Sequence, residues 1–394
     1  MEKAKFSVWN LLSRETSGGR LVPQIDGLRF FAVMFVILLH IRADLTANRT
    51  AQFIAGGENG PLVGLVDHWR IGVQFFFAIS GFVLALPFAN ERILGGKCVD
   101  LKLYYLRRVT RLEPPYIINL IVYSALHVLI KGAAIAWVVP HFFASLLYVH
   151  NIVYGKNSDI NEVAWSLEIE VQFYLLAPFL ARAFFSIADA TWRRVALIGA
   201  IAASLTWQRF LDGDIAHGLN LLHHLHYFLV GFLLADLHLT DWNKPLRAKG
   251  LWDCAATLGF VGIIASLPYK YEYPLAIHWV VTGCLVVWYM GCFRGRIWVW
   301  IVSQRPIFTI GGMCYTIYLW HNLVVSATRP VTTRLTTMSG LREFVWVYLL
   351  NVAMLVPTIL VVSAILFVLF EKPFMKRGWV ADFKRRFGRA PATP

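Results

Sequence analysis

Apolar stretches about as long as a bilayer is thick recur along this chain, and they restrict the fold more than any motif does. A hydrocarbon core of roughly 30 Å requires about 20 apolar residues per helix. Such stretches fall at about 28–45, 71–88, 114–130, 165–185, 195–211, 220–238, 251–267, 274–293, 306–327 and 344–370. The spacing predicts an all-α polytopic membrane protein of about ten transmembrane helices. Only 15% of the 394 residues are charged and 58% are hydrophobic, too little polar surface for a water-soluble globule.

A net charge of +14 would ordinarily suggest nucleic acid as a partner. Topology accounts for it instead. With the N-terminus inside and ten crossings, 27 of the 37 Lys and Arg fall on the cytoplasmic face. Both termini are then cytoplasmic, the lipid bilayer is the partner, and nucleic acid is not. A further apolar stretch at 134–150 contains Pro140 and His141. Counting it as a span would move Arg182, Arg193, Arg194 and the Lys384–Arg386 run to the wrong face, so it reads as re-entrant or interfacial. The chain divides into a cytoplasmic segment over 1–27, a membrane domain over 28–371 and a basic cytoplasmic tail over 372–394. Residues 1–20 lack the apolar core of a cleaved signal peptide, so the first span is expected to direct the chain to the inner (plasma) membrane. Cys98, Cys254, Cys284, Cys292 and Cys314 lie far apart and predict neither a disulfide nor a zinc framework.

Ionisable residues inside spans are costly and therefore mark candidate sites. Arg29 and His40 lie about 16 Å apart along the first span, which puts Arg29 at the cytoplasmic interface and His40 beyond the midplane. His40 suits either an interhelical hydrogen bond or a general base. The fourth span opens WSLEIEVQFY, Trp165 to Tyr174. Glu168 and Glu170 are about 200° apart around a helix and cannot share a face. Glu168 suits a cap at the helix N-terminus and Glu170 a buried functional role. Arg107, Arg108 and Arg111 stand in a cytoplasmic loop before the prolines Pro114 and Pro115. Guanidinium forks match phosphate oxygens, so these three suit either topology or a grip on a phosphorylated ligand. His321 suits a packing role or a cavity wall. His217, His223, His224 and His226 open the sixth span at spacings that do not share a helical face, so they predict a cavity lining, with His226 in it, rather than a metal site. Gly72, Ser80 and Gly81 suit close helix packing.

Five segments in order resemble the integral-membrane acyltransferase 3 family, over about Leu21 to Pro373. They are DGLR (Asp26 to Arg29) with His40 beyond it, GVQFFFAISGF (Gly72 to Phe82), RRVTRLEPPY (Arg107 to Tyr116), WSLEIEVQFY, and CYTIYLWH (Cys314 to His321). Glu371-Lys372-Pro373 is similar to the family's closing motif. The resemblance implies transfer of an acyl group, usually acetyl from acetyl-CoA, to a hydroxyl of a glycan or small molecule. It places the family's Arg-then-His motif on Arg29 and His40, its paired arginines on Arg108 and Arg111, and its glutamate on Glu170. Glu168 and Val171 depart from the family pattern.

Joined to that resemblance, the polar residues predict a mechanism. Acyl-CoA enters from the cytoplasm with its phosphates on Arg108 and Arg111, helped by Arg107, with Arg29 also on the cofactor's path, and no metal is expected. His40 acts as general base on an acceptor hydroxyl, with Glu170 orienting it or another polar partner. Glu168, Tyr174, Tyr318, His321 and His226 line the path of the acceptor. A direct transfer and an acyl-enzyme both stay open, as do the acceptor's identity and homo-oligomerisation. The alternative in a different class is a transporter or flippase for a glycan or lipid-linked substrate, since buried charge also suits a transport pathway.

Overall fold

The computed structural model describes residues 8–15, 21–48, 66, 69, 71–211, 218–242, 249–269 and 274–375. His217 and all but the first four residues of the expected basic tail lie outside the described residues. No strand occurs among the described residues. A short helix α1 (Val8–Leu12) precedes α2 (Pro23–Asn48), α3 (Ile71–Leu94), α4 (Leu101–Leu129), α5 (Ile135–Leu146) and α6 (His150–Tyr154). Then come α7 (Trp165–Phe185), α8 (Ala190–Leu211), α9 (Leu221–Thr240), α10 (Lys249–Ser266) and α11 (Pro274–Arg294). The chain continues through α12 (Ile297–Val302), α13 (Arg305–Gly312), α14 (Cys314–Met338), α15 (Phe344–Leu366), a π-helical turn (Phe367–Glu371) and α16 (Lys372–Met375).

Among the described residues, seven helical segments are long and apolar enough to cross a membrane: α2, α3, α4, α7, α10, α11 and the α15–α16 run. Helices α8, α9 and α14, of 22, 20 and 25 residues, overlap the remaining apolar stretches. Large apolar side chains such as Phe179 of α7, Leu258 of α10, Trp346 of α15 and Leu369 of the π-helical turn are exposed. In water that surface would be a liability; in lipid it is the ordinary exterior, because the bilayer solvates it. The chain is a multi-pass membrane protein. Helix α5 has 12 residues, about 18 Å of rise, too short to cross. Its apolar Ile135, Val139 and Phe143 are exposed.

Helix α3 is the central element, because small residues let its neighbours approach. A Cβ at Gly81 would strike the Phe228 carbonyl of α9, and one at Gly231 would strike Phe82 N. Around that crossing, rings of three helices stack: Phe173 and Phe77 lie 4.0 and 4.7 Å from Phe228. Polar anchors pin the helix ends. Asp236, fully buried in α9, takes Arg193 at 2.5 Å and Arg194 at 2.7 Å from the start of α8. Asp253 of α10 accepts the N–H groups of Arg296, Ile297 and Trp298 at 2.9, 2.9 and 3.1 Å, and so supplies the cap that α12 itself lacks.

Two expected boundaries differ. The helix start expected at Pro114 lies at Leu101, where the Asp100 carboxylate accepts the Leu103 N–H at 3.2 Å. The two prolines sit inside α4; the Tyr315 hydroxyl donates to Leu112 O at 2.9 Å in the turn they strip of donors. Arg107, Arg108 and Arg111 therefore stand on a helix and not in a loop. The expected span at 306–327 is broken at Met313 into α13 and α14. The break exposes a helix N-terminus inside the bundle, and Glu371 caps it by accepting both the N–H (3.1 Å) and the hydroxyl of Thr316. Lys372 holds the end of α1 through Asn10 O and Leu11 O at 3.0 and 2.6 Å. The closing Glu-Lys-Pro motif thus ties three segments together.

Candidate active site

A cavity of about 1190 Å³ opens where α3 ends and α4 begins. Small-molecule pockets run to roughly 300–1,000 Å³, so this one admits a long ligand. Six cations line it, Arg14, Arg29, Lys97, Arg107, Arg108 and Arg111, against the acids Asp100 and Glu170. The four arginines expected to bind a cofactor are thus gathered in one chamber.

Three of these arginines are held by carboxylate or ring partners. Asp26, 2% exposed, takes Arg29 at 2.6 Å and Arg14 at 3.2 Å on the same oxygen. Arg108 donates to Tyr104 O at 2.7 Å, and its guanidinium lies 3.4 Å from the centroid of the Tyr104 ring and 5.7 Å from that of Tyr174. Tyr104 and Tyr105 in turn donate to Tyr174 O and Leu175 O at 3.2 and 3.1 Å, which locks α4 against α7. Nε of Arg111 and Nε of Arg14 are buried donors with no partner among the described residues. Burial, and then the charges of Arg29 and Arg111, push Arg14 down to about 9, which leaves it cationic at neutral pH. Crowded cations with unused donors form a site that an anion stabilises, and phosphate oxygens match guanidinium forks.

The two glutamates of α7 face opposite ways, as their spacing requires. Glu170 lines the cavity, where Oε1 accepts from the Ser80 hydroxyl and from Tyr174 OH, the latter at 2.5 Å. Ser80 is thus a polar partner on α3 rather than a packing residue alone. Glu168 is fully buried and accepts the Asn151 N–H at 2.8 Å. It caps a helix, as expected, but the N-terminus is that of α6 rather than its own.

Tyr318 lines the cavity beside Ser166. Its hydroxyl donates to Val163 O at 2.6 Å and lies 2.6 Å from the Ser166 hydroxyl, which donates to it in return. Phe76 meets the Tyr318 ring edge-on at 6.1 Å. Behind this pair stand the two histidines: His321 lies 6.0 Å from the Tyr318 ring and 4.8 Å from His40, ring centroid to centroid. His40 Nδ1 lies 2.8 Å from Val36 O, and His321 Nδ1 lies 2.8 Å from Tyr318 O. Carbonyls only accept, so each Nδ1 carries a proton, and a ring that is neutral in this arrangement has its lone pair on Nε2. That is the tautomer a proton acceptor needs.

Of the residues expected from sequence, Arg29, Arg107, Arg108, Arg111, Glu170, Tyr174 and Tyr318 meet in the cavity. His40 and His321 form the adjoining pair and are not in its wall. Glu168 lies on the far face of α7. His226 is fully buried in α9, 3.9 Å from the Tyr227 ring, and is not among the cavity's lining residues, because its position faces the bundle interior. Arg14 was missed. It stands outside every motif, and only a second cation shortly before the Asp26–Arg29 pair hinted at it.

Residues 22–369 match the family described as "Acyltransferase domain". The chain is 25% identical over 331 residues to the O-acetyltransferase OatA of Staphylococcus aureus, covering 78% of this chain and 51% of that protein. It is 25% identical over 395 residues to the peptidoglycan O-acetyltransferase OatA of Listeria monocytogenes, covering 93% of this chain and 57% of that one. The chain thus spans about half the length of these relatives. No solved structure matches it. With the family's five motifs gathered around one cavity and the match extending over most of its length, the chain belongs to the acyltransferase 3 family.

Proposed function

We propose that the protein is an acyl-CoA-dependent membrane O-acyltransferase that moves an acetyl group to a hydroxyl of a cell-envelope glycan. The observation that carries this reading is the arginine-lined cavity that Tyr318 also lines, with the His40–His321 pair directly behind that tyrosine. The relatives' names, which speak of O-acetyl transfer and peptidoglycan, support the acyl group and the acceptor class.

The phosphates of acetyl-CoA rest on Arg14, Arg29, Arg107, Arg108 and Arg111, reached from the cytoplasmic face of an inner (plasma) membrane. The pantetheine arm runs inward past Glu170 to Tyr318. The acceptor approaches from the opposite face. His40 takes the hydroxyl proton on Nε2 as the oxygen attacks the thioester carbonyl. The C–S bond breaks, the ester C–O bond remains, and CoA leaves as a thiolate that takes up a proton. His321 positions the His40 ring. Glu170 holds Ser80 and Tyr174, and through the Tyr174 ring it also positions Arg108.

The test is release of CoA thiol from acetyl-CoA by purified protein in liposomes with glycan acceptors, followed by mass spectrometry of the acceptor. Acceptor-dependent thiol release with an acetylated product is the expected result. Movement of the glycan across the bilayer with no acyl product would overturn the reading in favour of a transporter.

A further inference from the structure

At the other end of the bundle from the arginine cavity, three side chains from separate segments converge. His141 belongs to α5, His150 to α6, and Asp159 to the loop before α7. His141 Nδ1 lies 2.9 Å from His150 Nε2 and 3.4 Å from Asp159 Oδ2, and His150 Nε2 lies 4.0 Å from the same oxygen. A tetrahedral zinc ion with ligand bonds of about 2.0–2.1 Å holds its ligand atoms roughly 3.3–3.4 Å apart. The observed triangle brackets that spacing.

The hydrogen bonding around it points the same way. His150 Nδ1 faces Lys156 O at 3.3 Å, so that nitrogen carries the proton and Nε2 presents its lone pair to the cluster. A backbone carbonyl on the remote nitrogen is the usual partner of a metal-binding histidine. His150 is fully buried and His141 is 7% exposed, so this is a formed site and not a surface coincidence. The Tyr154 ring covers both imidazoles, at 4.3 Å from His141 and 4.6 Å from His150. Lys156 Nζ, on a side chain 54% exposed, sits 2.7 Å from Asp159 Oδ2 and occupies the place of a positive charge that a cation would supply.

We propose that His141, His150 and Asp159 form a binding site for a divalent transition metal of zinc type, with solvent as fourth ligand. The expectation of no metal rested on the scattered cysteines and on the histidines near 217–226, whose spacing argues against one. These ligands are nine residues apart in sequence and meet only because α5 turns back at Leu147. The ion clasps α5 and α6 to the loop that leads into α7. It steadies the helix α6 whose N-terminal N–H rests on Glu168.

The test uses the full-length chain purified in detergent, stripped with a chelator and titrated with zinc chloride against a chromogenic chelator, with cobalt chloride as a spectroscopic probe. One zinc per chain and the intense visible absorption of four-coordinate cobalt are expected. Asp159→Asn and His141→Gln lower the affinity by at least the roughly 10–100-fold that loss of an outer-shell partner costs. Asp159 is 24% exposed, so its variant folds and decides the matter if His141→Gln does not. Lys156→Ala removes the competing cation and tightens binding. Uptake of no zinc, or wild-type affinity in Asp159→Asn, would overturn the proposal.

Discussion

His321 meets His40 edge to face, with ring planes at 74° and centroids 4.8 Å apart, and both rings hold their Nδ1 protons on carbonyls of their own helices. Two imidazoles from α2 and α14 are thus fixed in one tautomer, beside Tyr318.

Replacing His40 with Ala should lower the acetyl-transfer rate by about 10²–10⁴, the usual worth of a general base. His321→Asn should lower it less, because the base remains and only its support is lost. Thiol release at saturating acetyl-CoA measures both. Undiminished turnover in His40→Ala would remove the histidine from the chemistry.

Arg108→Lys keeps a positive charge but loses the planar fork and the stacking on Tyr104 and Tyr174. Its affinity for acetyl-CoA should fall about tenfold in equilibrium dialysis, a loss of about 1.4 kcal/mol. Arg14→Ala should weaken binding similarly although it lies outside the family motifs. Wild-type binding should weaken with salt and that of Arg14→Ala less so, since one charge pair fewer remains to be screened. Salt-independent binding would mean that these arginines do not meet phosphate.

Ser80→Ala and Tyr174→Phe each remove one hydroxyl from Glu170 Oε1, at about 0.5–1.5 kcal/mol each for an ordinary bond and more to a charged acceptor. Their effects on thermal stability should be non-additive, because both groups share one oxygen. A double-mutant cycle with zero coupling would show that the shared acceptor is not the anchor.

Gly81→Val should separate α3 from α9, since even the first carbon of the side chain meets the Phe228 carbonyl. Overpacking costs about 1–3 kcal/mol or more, and here backbone rather than a side-chain tip must move. Loss of the monodisperse peak in detergent chromatography checks it.

Hydropathy made the helices legible, because lipid demands long apolar runs whatever the packing. Glu170 stood out because charge is rare in such runs, whereas Arg107, Arg108 and Arg111 lie outside them and stood out through their spacing and the family resemblance. Breaks inside apolar stretches were not. Met313 interrupts a run that reads as continuous, and the distant Glu371 caps the helix that restarts there. Pro114 and Pro115 looked like a helix start because proline favours first turns, yet Asp100 starts the helix earlier and Tyr315 steadies the proline turn. His226 was expected in a cavity lining, yet it is fully buried in α9, as His224 nearly is. Asp236 and Asp253 were passed over, since a carboxylate that anchors helix ends carries no motif.

The tyrosine wall has a kinetic corollary. If the thioester and the acceptor reach Tyr318 from opposite ends, neither blocks the other's route, and neither must leave before the other arrives. Initial-rate lines at several fixed acceptor concentrations should then intersect rather than run parallel, with each ligand binding to an enzyme already holding its counterpart.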